Sequence, residues 1–398
     1  MNNKNLKPGH DMEKADENKK YYIYKNPFFS VFISIKNKRS AVKTEGVLAP
    51  VLKKFVEREM DFFNDKKIVK QCGKHLIFST WLPPIPSTAF NRLVKSRMAG
   101  LLGQNKPEQM TISITEDCPN KCLHCALPNK NNNSKLNLDE AKSAIDQAIS
   151  IGVSNIIFDG GEPLVYENLE ELINYVDKRK AIAGMFTSGV GLTYEKAKSL
   201  KEAGLYSITF SFDSAFEENH DKMRGRKGTY RNAVEGVGYA KNAGLLVNMY
   251  NVLGPHNIGE IYDLYSLAKE LGADELSFYE IVPTGRWFEK TDFILSKEDH
   301  KKFKEFLREK EYEDGPRIFA GPEIIENFGC MAGKQWIHVT PEGDILPCSC
   351  IPIPYGNIKN GKNSMKSAWK KIENEKEYCN QKKCLMRDKE FREKKGLV

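Results

Sequence analysis

Cys118-Pro119-Asn120-Lys121-Cys122-Leu123-His124-Cys125 is the stretch whose reading decides the fold. It follows residues 110–115, Met-Thr-Ile-Ser-Ile-Thr, a run with the composition of a buried strand. Three thiols at C-x3-C-x2-C spacing therefore sit on one short loop at a strand end. Three thiolates can hold three irons of a [4Fe–4S] cube and leave the fourth iron without a protein ligand. An open iron lets a cluster bind a substrate as well as carry an electron. Zinc is the alternative, and a closed zinc site asks for a fourth Cys or His. His124 is adjacent but poorly placed for that role on so short a loop.

Outward from the loop, the chain repeats one unit. Strands are predicted at 154–159, 182–187, 206–212, 245–252 and 275–281, several of them nearly continuous apolar runs. Helices between them end in glycine at Ile151-Gly152-Val153, Ala203-Gly204-Leu205, Ala243-Gly244-Leu245 and Leu271-Gly272-Ala273. Glycine just past a helix closes it in the left-handed conformation. Asn137 with Glu140 resembles a capping box, Thr229 is placed to cap a later helix, and Ser296 to cap one at 296–311. Alternating strands and helices give an α/β fold with a parallel sheet and right-handed crossovers. Six units predict a partial (β/α)6 TIM-like barrel, with chemistry at the C-terminal strand ends.

The expected organisation is a flexible tail at 1–20, an N-terminal α/β extension at 21–107, the barrel at 108–290, a connecting helix at 291–329, and a small C-terminal iron–sulfur domain at 330–398. In the extension, a β-like stretch at 22–35 precedes a helix at 48–63, a short strand near 75–79 and an amphipathic helix at 89–102. The tail is polar and charged with no apolar signal core, which predicts a cytoplasmic protein. The net charge of +8 is spread along the chain, and no basic run is interleaved with aromatics, so nucleic acid is not an expected partner.

Cysteine usage carries the rest. Of nine cysteines, Cys72 stands alone, and 204 residues without any separate Cys125 from Cys330. The second group is Cys330, Cys348, Cys350, Cys379 and Cys384. Clustered thiols in a chain of this kind point to metal rather than to a disulfide framework.

The cysteine loop resembles the signature of the radical S-adenosylmethionine (SAM) superfamily. Asp159-Gly160-Gly161-Glu162-Pro163, after the second strand, resembles that family's GGEP motif, and Thr187-Ser188-Gly189 its TNG motif with Ser in place of Asn. Ser211-Phe212-Asp213-Ser214, with His220-Asp221 and Arg224-Gly225, is similar to a pattern of the branch with extra clusters. The resemblance implies a [4Fe–4S] cluster on Cys118, Cys122 and Cys125. It implies SAM contacts from Gly160, Gly161, Glu162, Pro163, Ser188, Ser211, Arg224 and Asn251, with bare glycine backbone lying close to the cofactor and Glu162 meeting its amino group. His124, in a slot usually aromatic, is expected beside the adenine. Reductive cleavage of SAM to a 5′-deoxyadenosyl radical, which abstracts a substrate hydrogen, is the implied chemistry, with ferredoxin or flavodoxin as reductant.

Cys330 and Cys348 fit C-x12-G-x4-C through Gly343, which resembles the opening of SPASM and twitch domains. Those domains bind auxiliary clusters, but the full SPASM pattern continues with four more cysteines, and here only Cys379 and Cys384 follow. Five thiols can fully ligate one [4Fe–4S] cluster, not two. The expected set is Cys330, Cys348 and Cys350 with Cys384 or Cys379, and a four-Cys zinc site is the rival.

The family implies a peptide or protein side chain, or a cofactor precursor, as substrate. A second reading comes from 81–102, where Trp81 and a basic amphipathic face (Phe90, Leu93, Val94, Met98, Leu101, Leu102) suit a membrane surface and a lipid or lipid-linked substrate. The other account of that face is docking on the barrel. A non-enzymatic iron–sulfur carrier or sensor is the third class. Tyr279, Glu280 and Arg286 are candidates to face the substrate, but no residue is assigned as its acid or base.

Overall fold

In the computed structural model, the stretch expected as one β-like run divides at Asn26. Its side-chain oxygen accepts from the backbone N–H groups of Phe28 (2.8 Å) and Phe29 (2.7 Å), a turn that ends β1 (Tyr21–Lys25) and opens β2 (Ser30–Lys36). Asn37 and Lys38 both take positive φ, the geometry of a tight hairpin, and β3 (Arg39–Glu45) returns beside β2. Its charged sequence hid this third strand from a hydrophobicity reading. A helix, Ala49–Glu59, and a hairpin of β4 (Lys70–Cys72) and β5 (His75–Ile77) follow.

The structure describes residues 19–101, 103–127, 134–379, 381 and 383–397, without the side chains of Leu101, Thr291 and Cys379. Most of the expected tail, residues 1–18, and Leu102 lie outside the described residues. The chain divides into two compact units, one reaching Phe78 and including Pro84–Pro86, the other holding Ser79–Pro83 and the chain from Ser87 onward. This division differs from the boundary expected at 107. The helix Thr88–Leu101 belongs to the second unit, where Arg92 donates to Ile149 O (2.7 Å) and Arg97 pairs with the buried Glu108.

The second unit is built on a ten-stranded sheet. The six expected strands, β6 (Gln109–Ser113), β7 (Asn155–Asp159), β8 (Ile182–Thr187), β9 (Ser207–Ser211), β10 (Leu246–Leu253) and β11 (Glu275–Glu280), lie side by side in chain order, all parallel. This is the α/β architecture of a partial TIM-like barrel. A further parallel strand, β12 (Arg317–Ala320), flanks β11. At the other edge β13 (Trp336–Val339) runs parallel to β6 and leads into antiparallel β14 (Asp344–Leu346) and β15 (Gly356–Asn357). The C-terminal cysteine segment thus continues the barrel sheet rather than standing apart from it.

One face of each strand is fully buried under the helices, through Met110, Ile112, Ile156, Phe158, Met185, Ile208, Phe210, Val247, Met249, Leu276 and Phe278. The capping box at Asn137–Glu140 is present with both bonds at 2.9 Å, and Ser296 caps its helix with Asp299. Thr229 does not cap: it is buried in the first turn and donates to Arg226 O (3.0 Å) and Asn120 Oδ1 (3.2 Å). Asp221 takes that role, accepting from Gly228 N and Tyr230 N. A carboxylate there also suits the positive end of the helix.

Candidate active site

The loop of Cys118, Cys122 and Cys125 lies beyond the C-terminal end of β6 and is gripped from three sides. On the first, Gly161 N donates to Thr115 O (2.7 Å) and Glu162 N to Asp117 O (2.8 Å). A Cβ on Gly160 would strike Thr115 O, and one on Gly161 would strike Asp117 O. These glycines are therefore needed for close packing of β7's end against the cysteine loop, a contact the motif's expected role toward the cofactor does not include.

On the second side, Lys121 N donates to Arg224 O (3.0 Å) and Leu123 N to Met223 O (2.9 Å), which fastens the loop to the end of the helix Glu217–Arg224. On the third, Arg286 N donates to Cys125 O (3.0 Å) and its Nη1 to Cys122 O (2.8 Å). Gly285, with φ +54°, packs so close that a Cβ would collide with Cys125 O.

Charge is concentrated behind Cys122. Arg224 places Nη1 3.8 Å from Cys122 Sγ and Nε 2.7 Å from Asp213 Oδ2. Asp213 is 2 % exposed and its other oxygen lies 3.1 Å from His124 Nε2. Burial pushes the Asp213 carboxyl up, but Arg224 and His124 outweigh it and hold the group well below the usual carboxylate range. Asn257 Nδ2 braces Asp213 O at 2.9 Å, and Asp213 N donates to His220 Nδ1 (3.2 Å). His124 also lies against Trp287, with ring centroids 5.9 Å apart. The structure thus places Asp213, His220 and Asn257 around the loop; the sequence pattern contained Asp213 and His220 but gave no sign of Asn257.

The other expected cofactor residues are placed as follows. Glu162 is 1 % exposed and accepts from Thr187 Oγ1 (2.8 Å), Ser188 N (2.8 Å) and Ser188 Oγ (2.6 Å). Burial raises its pKa despite those donors. The GGEP and TNG-like segments are therefore joined to each other by this carboxylate. Pro163 is buried and opens a short 3-10 turn. Ser211 ends β9 half-buried. Asn251 is fully buried and donates to Phe212 O at 2.6 Å. Tyr279 stacks between Phe319 and Tyr250, and Glu280 is paired with Arg387 and His300 (2.9 Å).

The second group gathers Cys330, Cys348, Cys350 and Cys384. Cys330 and Cys384 are close enough to shift each other's ionisation, as are Cys348 and Cys350, and Cys348 lies within electrostatic reach of both Cys330 and Cys384. The neighbouring Cys330, aided by Arg387, holds the Cys384 thiol down against burial. Cys379 ends a short helix, and its side chain lies outside the described residues. Three thiols beside a buried guanidinium fit a cluster with an open iron, and four gathered thiols fit a closed one. Zinc would require donors meeting about 2.0–2.3 Å from one point. Among the described residues no three Cys, His, Asp or Glu side chains converge in that way.

Trp81 does not face outward. Its indole N–H donates to Ser277 Oγ (3.0 Å), and its ring lies among Phe186, Tyr250, Tyr279 and Phe319 inside the barrel. Phe90 and Leu93 are buried, and Met98 is half exposed. Among the described residues no helix is long and apolar enough to cross a membrane.

A parallel α/β sheet carrying a three-cysteine loop at its strand ends has the layout of an iron–sulfur enzyme of the partial-barrel class. Residues 112–268 match the model of the Radical SAM superfamily. An AdoMet-dependent heme synthase of Methanosarcina barkeri is 28% identical over 280 residues, covering 64% of this chain and 80% of the relative. A PqqA peptide cyclase of Gluconobacter oxydans is 26% identical over 257 residues, covering 62% and 71%. The structure of Streptococcus suis SuiB bound to precursor peptide SuiA shares the fold at a TM-score of 0.56 and 13% identity, covering 87% of this chain and 88% of that one. The chain thus carries a radical SAM domain, a family whose cofactors are a [4Fe–4S] cluster and SAM, and its relatives are SPASM/twitch-type radical SAM enzymes, in which an auxiliary cluster is typical.

Proposed function

We propose that this radical SAM enzyme abstracts a hydrogen from a peptide or protein side chain. The observation that carries the reading is the loop of Cys118, Cys122 and Cys125 at the strand ends, which offers three thiols and the Arg224 guanidinium rather than four thiols. When bound and reduced, the cluster supplies the electron that divides SAM. The chain's own residues hold and shield the reactants. Arg224 and Ser211 meet the cofactor's carboxylate or ribose. Glu162 keeps Thr187 and Ser188 fixed against the GGEP turn. Cys330, Cys348, Cys350 and Cys384 hold one auxiliary cluster, and a ferredoxin or flavodoxin delivers the electron. Relatives named as a PqqA peptide cyclase and the SuiB–SuiA complex support a peptide substrate.

The second reading, a cofactor precursor, is favoured by relatives named as heme synthases. The lipid reading loses Trp81 as an outward-facing residue, because its part-buried ring lies among Phe186, Tyr250, Tyr279 and Phe319. Anaerobically reconstituted, reduced enzyme should release 5′-deoxyadenosine from SAM. With a candidate peptide deuterated at the reacting carbon, deuterium should appear in that product. Release of none under reducing conditions would defeat the enzymatic assignment, and deuterium transfer from a tetrapyrrole but no peptide would favour the second reading.

A further inference from the structure

We propose that Asp213 is a positioning residue that raises the reduction potential of the cluster on Cys118, Cys122 and Cys125 by holding Arg224 against Cys122. The inference rests on that loop binding a cluster, and goes beyond it in assigning what tunes the cluster.

Arg224 is the cation beside a cluster thiol, with Nη1 3.8 Å from Cys122 Sγ. A positive charge and an N–H donor at a ligating sulfur favour the reduced, more negative cluster, and so raise its potential. A guanidinium on a long side chain keeps that placement only if something fixes its other end. Asp213 does so from Nε at 2.7 Å. Asp213 is itself immobilised: its carboxylate meets His124 Nε2 at 3.1 Å, its carbonyl accepts from Asn257 Nδ2 at 2.9 Å, and its N–H meets His220 Nδ1 at 3.2 Å. His124 lies within the cysteine loop, so one carboxylate ties both the loop and the cation to the end of β9. A buried ion pair offsets its desolvation only with good geometry and further hydrogen bonds, and these braces supply both at Asp213.

Two effects of removing Asp213 have opposite signs, and this makes the idea testable. Loss of its negative charge alone would raise the cluster's potential. Release of Arg224 from Cys122 would lower it. The test is an anaerobic redox titration of the reconstituted full chain, followed by electron paramagnetic resonance, with iron content measured in parallel. A Cys118→Ala/Cys122→Ala/Cys125→Ala variant supplies the auxiliary cluster's own curve for subtraction.

Arg224→Gln should shift the potential downward, and Arg224→Lys by less. Asp213→Ala should also shift it downward, with Asp213→Glu recovering part of the shift, and in the Arg224→Gln background Asp213→Ala should no longer lower it. Should Asp213→Ala fail to take up iron, Asp213→Val, which likewise cannot hold Arg224, carries the test with the same sign. An upward shift or none in an iron-replete Asp213 variant overturns the proposal. So does loss of iron in every Asp213 variant, which would make the residue a folding element. Absence of iron from the unaltered chain would instead defeat the reading on which the proposal rests.

Discussion

Thr284 donates its hydroxyl to the carbonyl oxygen of Cys350 at 3.0 Å. The next two residues, Gly285 and Arg286, hold the loop of Cys122 and Cys125. One turn after β11 therefore touches both cysteine groups, although the two are far apart in sequence. Arg387 adds a second tie, donating to Ile281 O at 3.1 Å and pairing with Glu280. The relative placement of the two cysteine groups is set by the end of a barrel strand.

Gly285→Ala should damage the first site selectively. The residue has φ +54°, and its Cβ would meet Cys125 O. Either the turn or the loop must move, and the loop carries the ligands. Iron per chain should fall from about eight toward about four, with 5′-deoxyadenosine production lost. Full iron content and unchanged turnover in the variant would contradict this tie.

The C-terminal ligand set makes a sharper prediction. Cys330, Cys348, Cys350 and Cys384 lie together, so Cys384→Ala should remove the auxiliary cluster's iron, about four per chain. Cys379→Ala should leave it. The reverse pattern would exchange their roles, and zinc in place of iron by elemental analysis would replace the cluster altogether.

The fold was legible where the pattern was local. Six apolar strands, their closing glycines, and the caps at Asn137 and Ser296 each reside in a few consecutive residues, and all are present. What stayed hidden depends on pairing across long separations. Strand β13 joins β6 across more than two hundred residues, so nothing near Trp336 signalled that the cysteine segment continues the barrel sheet. Asp213 was visible only as part of a motif, because its partners His124 and Arg224 come from a loop and a helix. Thr229 was read as a cap because hydroxyls usually are. Asp221 takes that place because the helix before it delivers the carboxylate. The amphipathic pattern at 89–102 could not tell a lipid-facing helix from a packed one; Phe90 and Leu93 are buried, Met98 is half exposed, and the side chains of Leu101 and Leu102 lie outside the described residues.

Glu162→Gln should uncouple the two motif segments. The carboxylate accepts from Thr187, twice from Ser188 and, at 3.3 Å, from Leu164 N within a fully buried setting. Each oxygen thus faces a backbone N–H, so an amide nitrogen placed on either one must lose a bond. The expected cost is about 1–3 kcal/mol of stability. It should appear as a lower midpoint in chemical denaturation, together with a raised KM for SAM. An unchanged midpoint would mean that the Thr187–Ser188 turn is held by other contacts.

His338 should make the fold acid-sensitive in a defined window. Its imidazole is 2 % exposed on β13 and bonded to Thr111 Oγ1 at 2.8 Å. Burial lowers its pKa from 6.5 to about 4. Between those values the unfolded chain binds a proton that the folded chain refuses, so the contribution is fully present above pH 6.5 and is lost as pH falls toward 4. The full shift corresponds to roughly 3 kcal/mol. Asp159, bonded to Ser113 at 2.8 Å and pushed up to about 7 by burial, acts in the opposite sense: its folded form retains a proton as pH rises from the ordinary carboxylate range. The raw stability curve sums both, so the readout is the difference between the wild-type chain and His338→Gln, measured by urea denaturation at intervals from pH 7 to 4. The variant, whose amide can still bond Thr111, should lose less stability across that window. Identical pH slopes in the two proteins would show that His338 is not kept neutral by the fold.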